Sequence, residues 1–167
     1  MSASILLVDD DPLLVRMMGV MLGDLGRVRF ATSGEAALRQ MASELPDVVL
    51  LDAEMPGMGG LEVCRAIRAC AEYDAVPVIF VTAHRDEEFE ARGFDAGAAD
   101  IVNKPVSAAL LRARVRTHVR LKQALETIRR LAPADPPAGL EDAQRSGTAA
   151  AAAAAATCAR AGDALSP

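Results

Sequence analysis

The chain has 167 residues, 51% of them hydrophobic and 25% charged, which is enough apolar side chain for one compact core. A formal charge of −5 and an aromatic content of 3% argue against a polyanion binder or a base-stacking nucleic-acid platform. No apolar run approaches the length of a membrane span, and Met1-Ser2-Ala3-Ser4 lacks the basic start of a secretory leader, so no membrane contact and a cytoplasmic location are the expectation. The three cysteines, an odd number without metal-ligand spacing, read as reduced thiols.

Taken in chain order, apolar clusters alternate with amphipathic stretches. Ile5-Leu6-Leu7-Val8 opens a first strand, and residues 28–31 form a weaker second one. Residues 48–51, 76–81 and 101–102 supply the third, fourth and fifth. The runs are continuous, as in strands buried on both faces of a parallel sheet. Helical patterns lie between them at 12–22, 33–42, 61–71, 86–96 and 107–131. Asp11 before Pro12 reads as a helix cap, Ser33 and Ser107 as further N-caps, and Gly97 as a helix terminus. Five such repeats predict an α/β domain, a doubly wound parallel sheet with helices on both faces.

The residues that follow the strands carry the chemistry. The first strand runs into Asp9-Asp10-Asp11, the third into Asp52, the fourth into Thr82-Ala83 and the fifth into Asn103-Lys104-Pro105. An open parallel sheet gathers the C-terminal ends of its strands along one edge, where ligand sites form. Any one of these residues alone reads as a loop residue, a cap or a solvated charge. Together they place carboxylates, a hydroxyl and an ammonium in one crevice. Crowded carboxylates repel unless a cation sits among them. Oxygen donors without nearby Cys or His favour Mg²⁺. A carboxylate can attack phosphorus to give an acyl phosphate, and the charge on the transferred group then calls for a metal, an ammonium and a hydroxyl. Asp52, Lys104 and Thr82 are of those types, and the small Ala83 leaves room for the group.

Four segments, Ile5-Leu6-Leu7-Val8-Asp9-Asp10, Leu51-Asp52-Ala53-Glu54-Met55-Pro56-Gly57-Met58, Val81-Thr82-Ala83 and Asn103-Lys104-Pro105, resemble in order and spacing the signature segments of the receiver domain of two-component response regulators. The resemblance spans residues 4–122 and implies a flavodoxin-like fold with strand order 2-1-3-4-5. It implies that Asp52 accepts a phosphoryl group from a histidine kinase or phosphotransfer protein. It further implies that Mg²⁺ is held by Asp10, Asp52 and the backbone carbonyl of Glu54, with Asp9 acting through a metal-bound water. Thr82 and Lys104 would contact the phosphoryl oxygens, and Lys104-Pro105 would be the family's Lys-Pro pair, often cis. Such a chain is a signalling switch that catalyses only its own phosphorylation and dephosphorylation. A Mg²⁺-dependent phosphohydrolase of the haloacid dehalogenase type also uses an Asp nucleophile, but on its first strand, whereas Asp52 follows the third.

Ile101 stands where many receivers carry an aromatic that swings inward on activation, which puts that rotation in doubt. Gly59 replaces a common Asp, and Gly59-Gly60 reads as a loosened loop. Glu54 and His84 stand two beyond Asp52 and Thr82, where the family tunes phosphoryl lifetime; His84 reads as a rim residue. The last helix continues past the receiver (1–125) as an extension over 126–132. Its seven Lys/Arg between Arg112 and Arg130 read as a solvated basic face rather than a nucleic-acid surface. Leu121, Leu125, Ile128 and Ala132 form a coiled-coil-like stripe, so a homodimer through the fourth helix, fifth strand and fifth helix is the expectation. Residues 133–167, Pro-rich and then Ala-rich, read as a linker or disordered tail.

Overall fold

Successive side chains of a strand point to opposite faces, so an unbroken apolar run needs an apolar layer on each side. The computed structural model, which describes residues 3–131, supplies both layers. Ile5 and Leu7 of strand β1 (Ala3–Val8) pack with Val48 and Leu50 of β3 (Val48–Asp52) against α1 (Pro12–Leu22) and α5 (Ala108–Leu131). Leu6 and Val8 point the other way with Val49 and Leu51, against α2 (Gly34–Ser43), α3 (Gly60–Arg68) and α4 (Glu87–Asp95). The remaining strands are β2 (Gly26–Ala31), β4 (Val78–Thr82) and β5 (Asp100–Asn103). All pairings are parallel, and the order is β2-β1-β3-β4-β5. The doubly wound five-stranded sheet and the long last helix are thus as the sequence predicts.

Local signals act as read at several ends. Asp11 Oδ1 accepts the N–H groups of Leu13 and Leu14 at the start of α1. Ser33 Oγ accepts that of Ala36. Gly97 stands just after α4 at φ +95°, a conformation that costs glycine little. Other bounds differ for physical reasons. Strand β4 starts at Val78, since Pro77 has no N–H for a ladder. Helix α3 ends at Arg68, not near residue 71, and the chain continues into a 3-10 turn at Ala71–Tyr73. The Arg68 guanidinium gathers the carbonyls of Gly97, Tyr73, Asp74 and Val76 and so fixes that turn. Gly60 has a packing reason: a Cβ there would lie 2.1 Å from the Asp52 carbonyl oxygen. Cys64 is a free buried thiol, as read.

Helix α5 buries Leu111, Val115 and Val119, and its later apolar residues leave the domain: Leu121, Leu125 and Ile128 are 55%, 49% and 61% exposed. Its basic face is only partly solvated. Arg112 pairs with Asp24, Arg114 with Asp100 at 2.9 Å, and Lys122 with Asp47 at 2.8 Å. The solvated-face reading is corrected for Lys122, whose side chain is 10% exposed, while Arg112 and Arg114 stay open to solvent and pair with carboxylates at their edge. Among the described residues no helix is long and apolar enough to cross a membrane. The tail expected at 133–167 and residue 132 of the extension lie outside the described residues.

Candidate functional site

Parallel register decides which side chains meet at the C-terminal edge. Val8 is level with Leu51, so Asp9 and Asp52 follow side by side. Asp52 is level with Val81 and Thr82 with Asn103, which brings Thr82 and Lys104 to the same edge. Asp9, Asp52 and Thr82 are all buried, at 1%, 6% and 1% exposure, whereas Asp10 is exposed. Polar groups so placed need partners. Lys104 Nζ donates to Asp9 Oδ2 and to Asp52 Oδ1, each at 3.0 Å. Asp9 Oδ1 accepts the Asp11 N–H at 2.9 Å, and Thr82 Oγ1 accepts the His84 N–H at 3.0 Å. The Lys104 loop is fixed by its own N–H on Thr82 O at 2.7 Å and by Arg85, which donates to Lys104 O. The Lys104-Pro105 bond is cis.

The charges do not balance. One ammonium faces two buried carboxylates, with Asp10 close by. Burial pushes the Asp52 carboxyl up, the Lys104 hydrogen bond draws it down, and the Asp9 charge raises it again; the outcome lies above the usual aspartate value. Burial works against the Lys104 ammonium, but its hydrogen bonds to Asp52 and Asp9 outweigh that and hold it above the usual lysine value. Asp9, Asp10 and Asp52 each offer an oxygen, all within 4.8 Å of one another. A hard divalent cation that keeps several waters fits this all-oxygen set, and Mg²⁺ is the common choice.

All the strand-end residues singled out from the sequence therefore stand on one edge, and Asp9, Asp10, Asp52 and Lys104 form one cluster. The Glu54 side chain does not join it: it points to solvent and meets His84 Nε2 at 2.8 Å. That pair joins two loops, a contact that no pattern in the sequence announces. Asp100 was also missed. It is buried at the start of β5 and takes both Arg114 and His118, whose four-residue spacing on α5 was the only available signal.

Comparison with known proteins agrees with this architecture. The model of the response regulator receiver domain matches residues 5–116. A probable cyclic di-GMP phosphodiesterase of Vibrio cholerae is 41% identical over 125 residues, 75% of this chain but 28% of that protein. Response regulator PleD of Caulobacter vibrioides is 38% identical over 130 residues, 77% of this chain and 29% of that one. The chain thus spans less than a third of the length of these two relatives. Among solved structures, the BeF3-activated DrrB receiver domain is similar at TM-score 0.66 and 36% identity, covering 72% of this chain and 99% of that chain. A putative response regulator from Chloroflexus aurantiacus gives 0.69 and 34%, with the same coverages. Family match, strand order and the cluster around Lys104 lead to one conclusion: the chain belongs to the response regulator receiver domains.

Proposed function

We propose that this chain is the phospho-accepting switch of a two-component relay, with Asp52 as the acceptor. The observation that carries the reading is Lys104 Nζ, 3.0 Å from both Asp9 and Asp52, in a cluster short of positive charge. Receiver domains are signalling switches, and phosphoryl transfer suits this one. An Asp52 carboxylate oxygen forms the bond to phosphorus as the bond from phosphorus to the donor's imidazole nitrogen breaks, and the electron pair leaves with the nitrogen. Lys104 stays with the developing negative charge, and Thr82 has a hydroxyl proton to give to an equatorial oxygen. Asp9, Asp10, Asp52 and the Glu54 carbonyl would hold Mg²⁺, which supplies further charge neutralisation. The buried walls limit water around the acyl phosphate. The phosphohydrolase alternative gains nothing from the geometry, because the candidate nucleophile stands on β3 within a receiver match.

With Mg²⁺ and a small acyl phosphate donor, mass spectrometry should show one added phosphoryl group that is base-labile. Equal labelling of Asp52→Asn would move the acceptor elsewhere. The partners this reading names are a histidine kinase or phosphotransfer protein in the cytoplasm, with no role for nucleic acid or membrane. A second copy is a further partner, through the face of α4, β5 and α5; the exposed Leu121, Leu125 and Ile128 support it. Beryllofluoride, whose adduct on Asp52 stands in for the phosphoryl group, should raise the dimer fraction in sedimentation. Leu121→Glu with Leu125→Glu should lower it. An unchanged mass with beryllofluoride at high concentration would leave the face to a different protein.

A further inference from the structure

The loop between β4 and α4 is held by a side chain that the acceptor chemistry does not use. His84 donates its backbone N–H to Thr82 Oγ1 at 3.0 Å. Its imidazole has neighbours on three sides. Nε2 lies 2.8 Å from Glu54 Oε1, on the loop that leaves Asp52. Nδ1 lies 3.6 Å from Asp86 Oδ2, and Asp86 is the N-cap of α4. The ring lies flat on Phe89 in the first turn of α4, with centroids 4.8 Å and planes 15° apart. Phe89 is 6% exposed and meets Phe80 of β4 edge-on, with centroids at 5.7 Å and planes at 75°. One turn further along α4, a Cβ on Gly93 would lie 3.1 Å from Ile101 Cδ1 and 3.4 Å from Phe80 Cδ2, so the helix rests directly on both.

We infer that His84 is the positioning residue that couples occupancy of Asp52 to the placement of α4, through its stack on Phe89. The inference rests on Asp52 as the phosphoacceptor. A phosphoryl group there gives new oxygens to Thr82 and Lys104. Drawing the Thr82 hydroxyl toward them shifts the acceptor of the His84 N–H. Drawing Lys104 shifts the same loop, since Lys104 N–H bonds Thr82 O and Arg85 bonds Lys104 O. The loop leaving Asp52 reaches the same ring through Glu54. Three inputs therefore reach the loop that carries His84, one through its backbone N–H, one through Thr82 and Arg85 beside it and one through its imidazole, and the broad contact of that imidazole with α4 is the Phe89 ring. A flat aromatic contact transmits a displacement better than the flexible chains around it, because closely packed rings cannot yield without opening a void. Ile101 cannot serve in this way: it is aliphatic and stands beside Phe80 under Gly93, so it has no ring to turn.

The test uses the full chain with Mg²⁺ and beryllofluoride, read by backbone amide chemical shifts. Saturation is judged from the amides beside Asp52. In the unsubstituted chain the adduct should shift the amides of residues 87–95. His84→Ala, which removes both the Glu54 bond and the ring, should cut those α4 shifts by at least half at saturation. His84→Phe, which keeps a ring over Phe89, should restore most of them. An α4 response in His84→Ala equal to that of the unsubstituted chain overturns the inference, and so does a His84→Phe response as small as that of His84→Ala. Absence of any adduct on the unsubstituted chain overturns the phosphoacceptor reading, and this inference with it.

Discussion

Two aspartate–lysine pairs in this molecule look alike and behave in opposite ways. Asp52 meets Lys104 at 3.0 Å, and Asp47 meets Lys122 at 2.8 Å. Burial pushes both carboxyls up. At Asp47 the Lys122 hydrogen bond and charge, with the Ser4 N–H at 2.9 Å, outweigh burial and bring it below the usual aspartate value. At Asp52 a second buried carboxylate, Asp9, shares the same ammonium, and the balance stays above that value. The lower pair ties α5 to the N-terminal ends of β1 and β3 and is satisfied. The upper pair is left short of positive charge, which suits the cation and phosphoryl group proposed for it. Lys122 also meets a second carboxylate, Glu126, at 3.2 Å, so what separates the two pairs is burial: the Asp52 and Asp9 side chains are 8% and 1% exposed, those of Asp47 and Glu126 25% and 35%.

The sharpest break of that contrast is at Asp52, the proposed acceptor. Asp52→Asn should lose phosphoryl incorporation entirely, while Asp47→Asn should keep it, as read by mass after incubation with an acyl phosphate and Mg²⁺. Next comes the ammonium. Lys104→Met leaves Asp9 and Asp52 buried without a counter-ion and should cost about 3 kcal/mol in urea unfolding without divalent cation. Added Mg²⁺ should recover part of that loss. A similar cost from Lys122→Met would erase the distinction drawn here. The third effect lies in the metal. Asp10→Asn should weaken Mg²⁺ binding about tenfold, or ~1.4 kcal/mol, in a titration. Asp11→Asn should change it little, because Asp11 caps α1 and Asn caps equally well.

The smallest effect is in pH. A carboxyl held below its usual value stabilises the fold above that value, and this contribution is lost as pH falls through the lowered pKa. A carboxyl held above it is most costly when charged, so stability is gained as pH falls from the raised pKa toward the usual one. Without divalent cation, Asp47→Asn should therefore destabilise at neutral pH, by about 1 kcal/mol or less for a part-exposed pair, and Asp52→Asn should stabilise. Both differences should shrink on acidification, the Asp52 one first, as measured by urea midpoints across the acid range. The same sign for both variants at neutral pH would show that burial and the Asp9 charge do not outweigh Lys104 at Asp52.

The repeating units and the chemistry at their ends are legible in the order of the residues. The apolar runs of β1, β3 and β4 are continuous because both faces are covered, and that requirement shows in any buried parallel strand. Asp11, Ser33 and Gly97 mark helix ends because a cap acts within a few residues of itself. The strand-end positions of Asp9, Asp10, Asp52, Thr82 and Lys104 were legible because one edge collects them in this topology. The tertiary structure alone decided the charge balance of that edge, since Lys104 is 95 residues from Asp9 and 52 from Asp52. It also decided that Arg112, Arg114 and Lys122 pair with Asp24, Asp100 and Asp47, and that His84 lies between Glu54 and Phe89. Periodicity and capping depend on neighbours along the chain and so leave a local trace. A shared ammonium or a stacked ring depends on distances between elements, which the chain acquires only when the sheet and its helices close around one another.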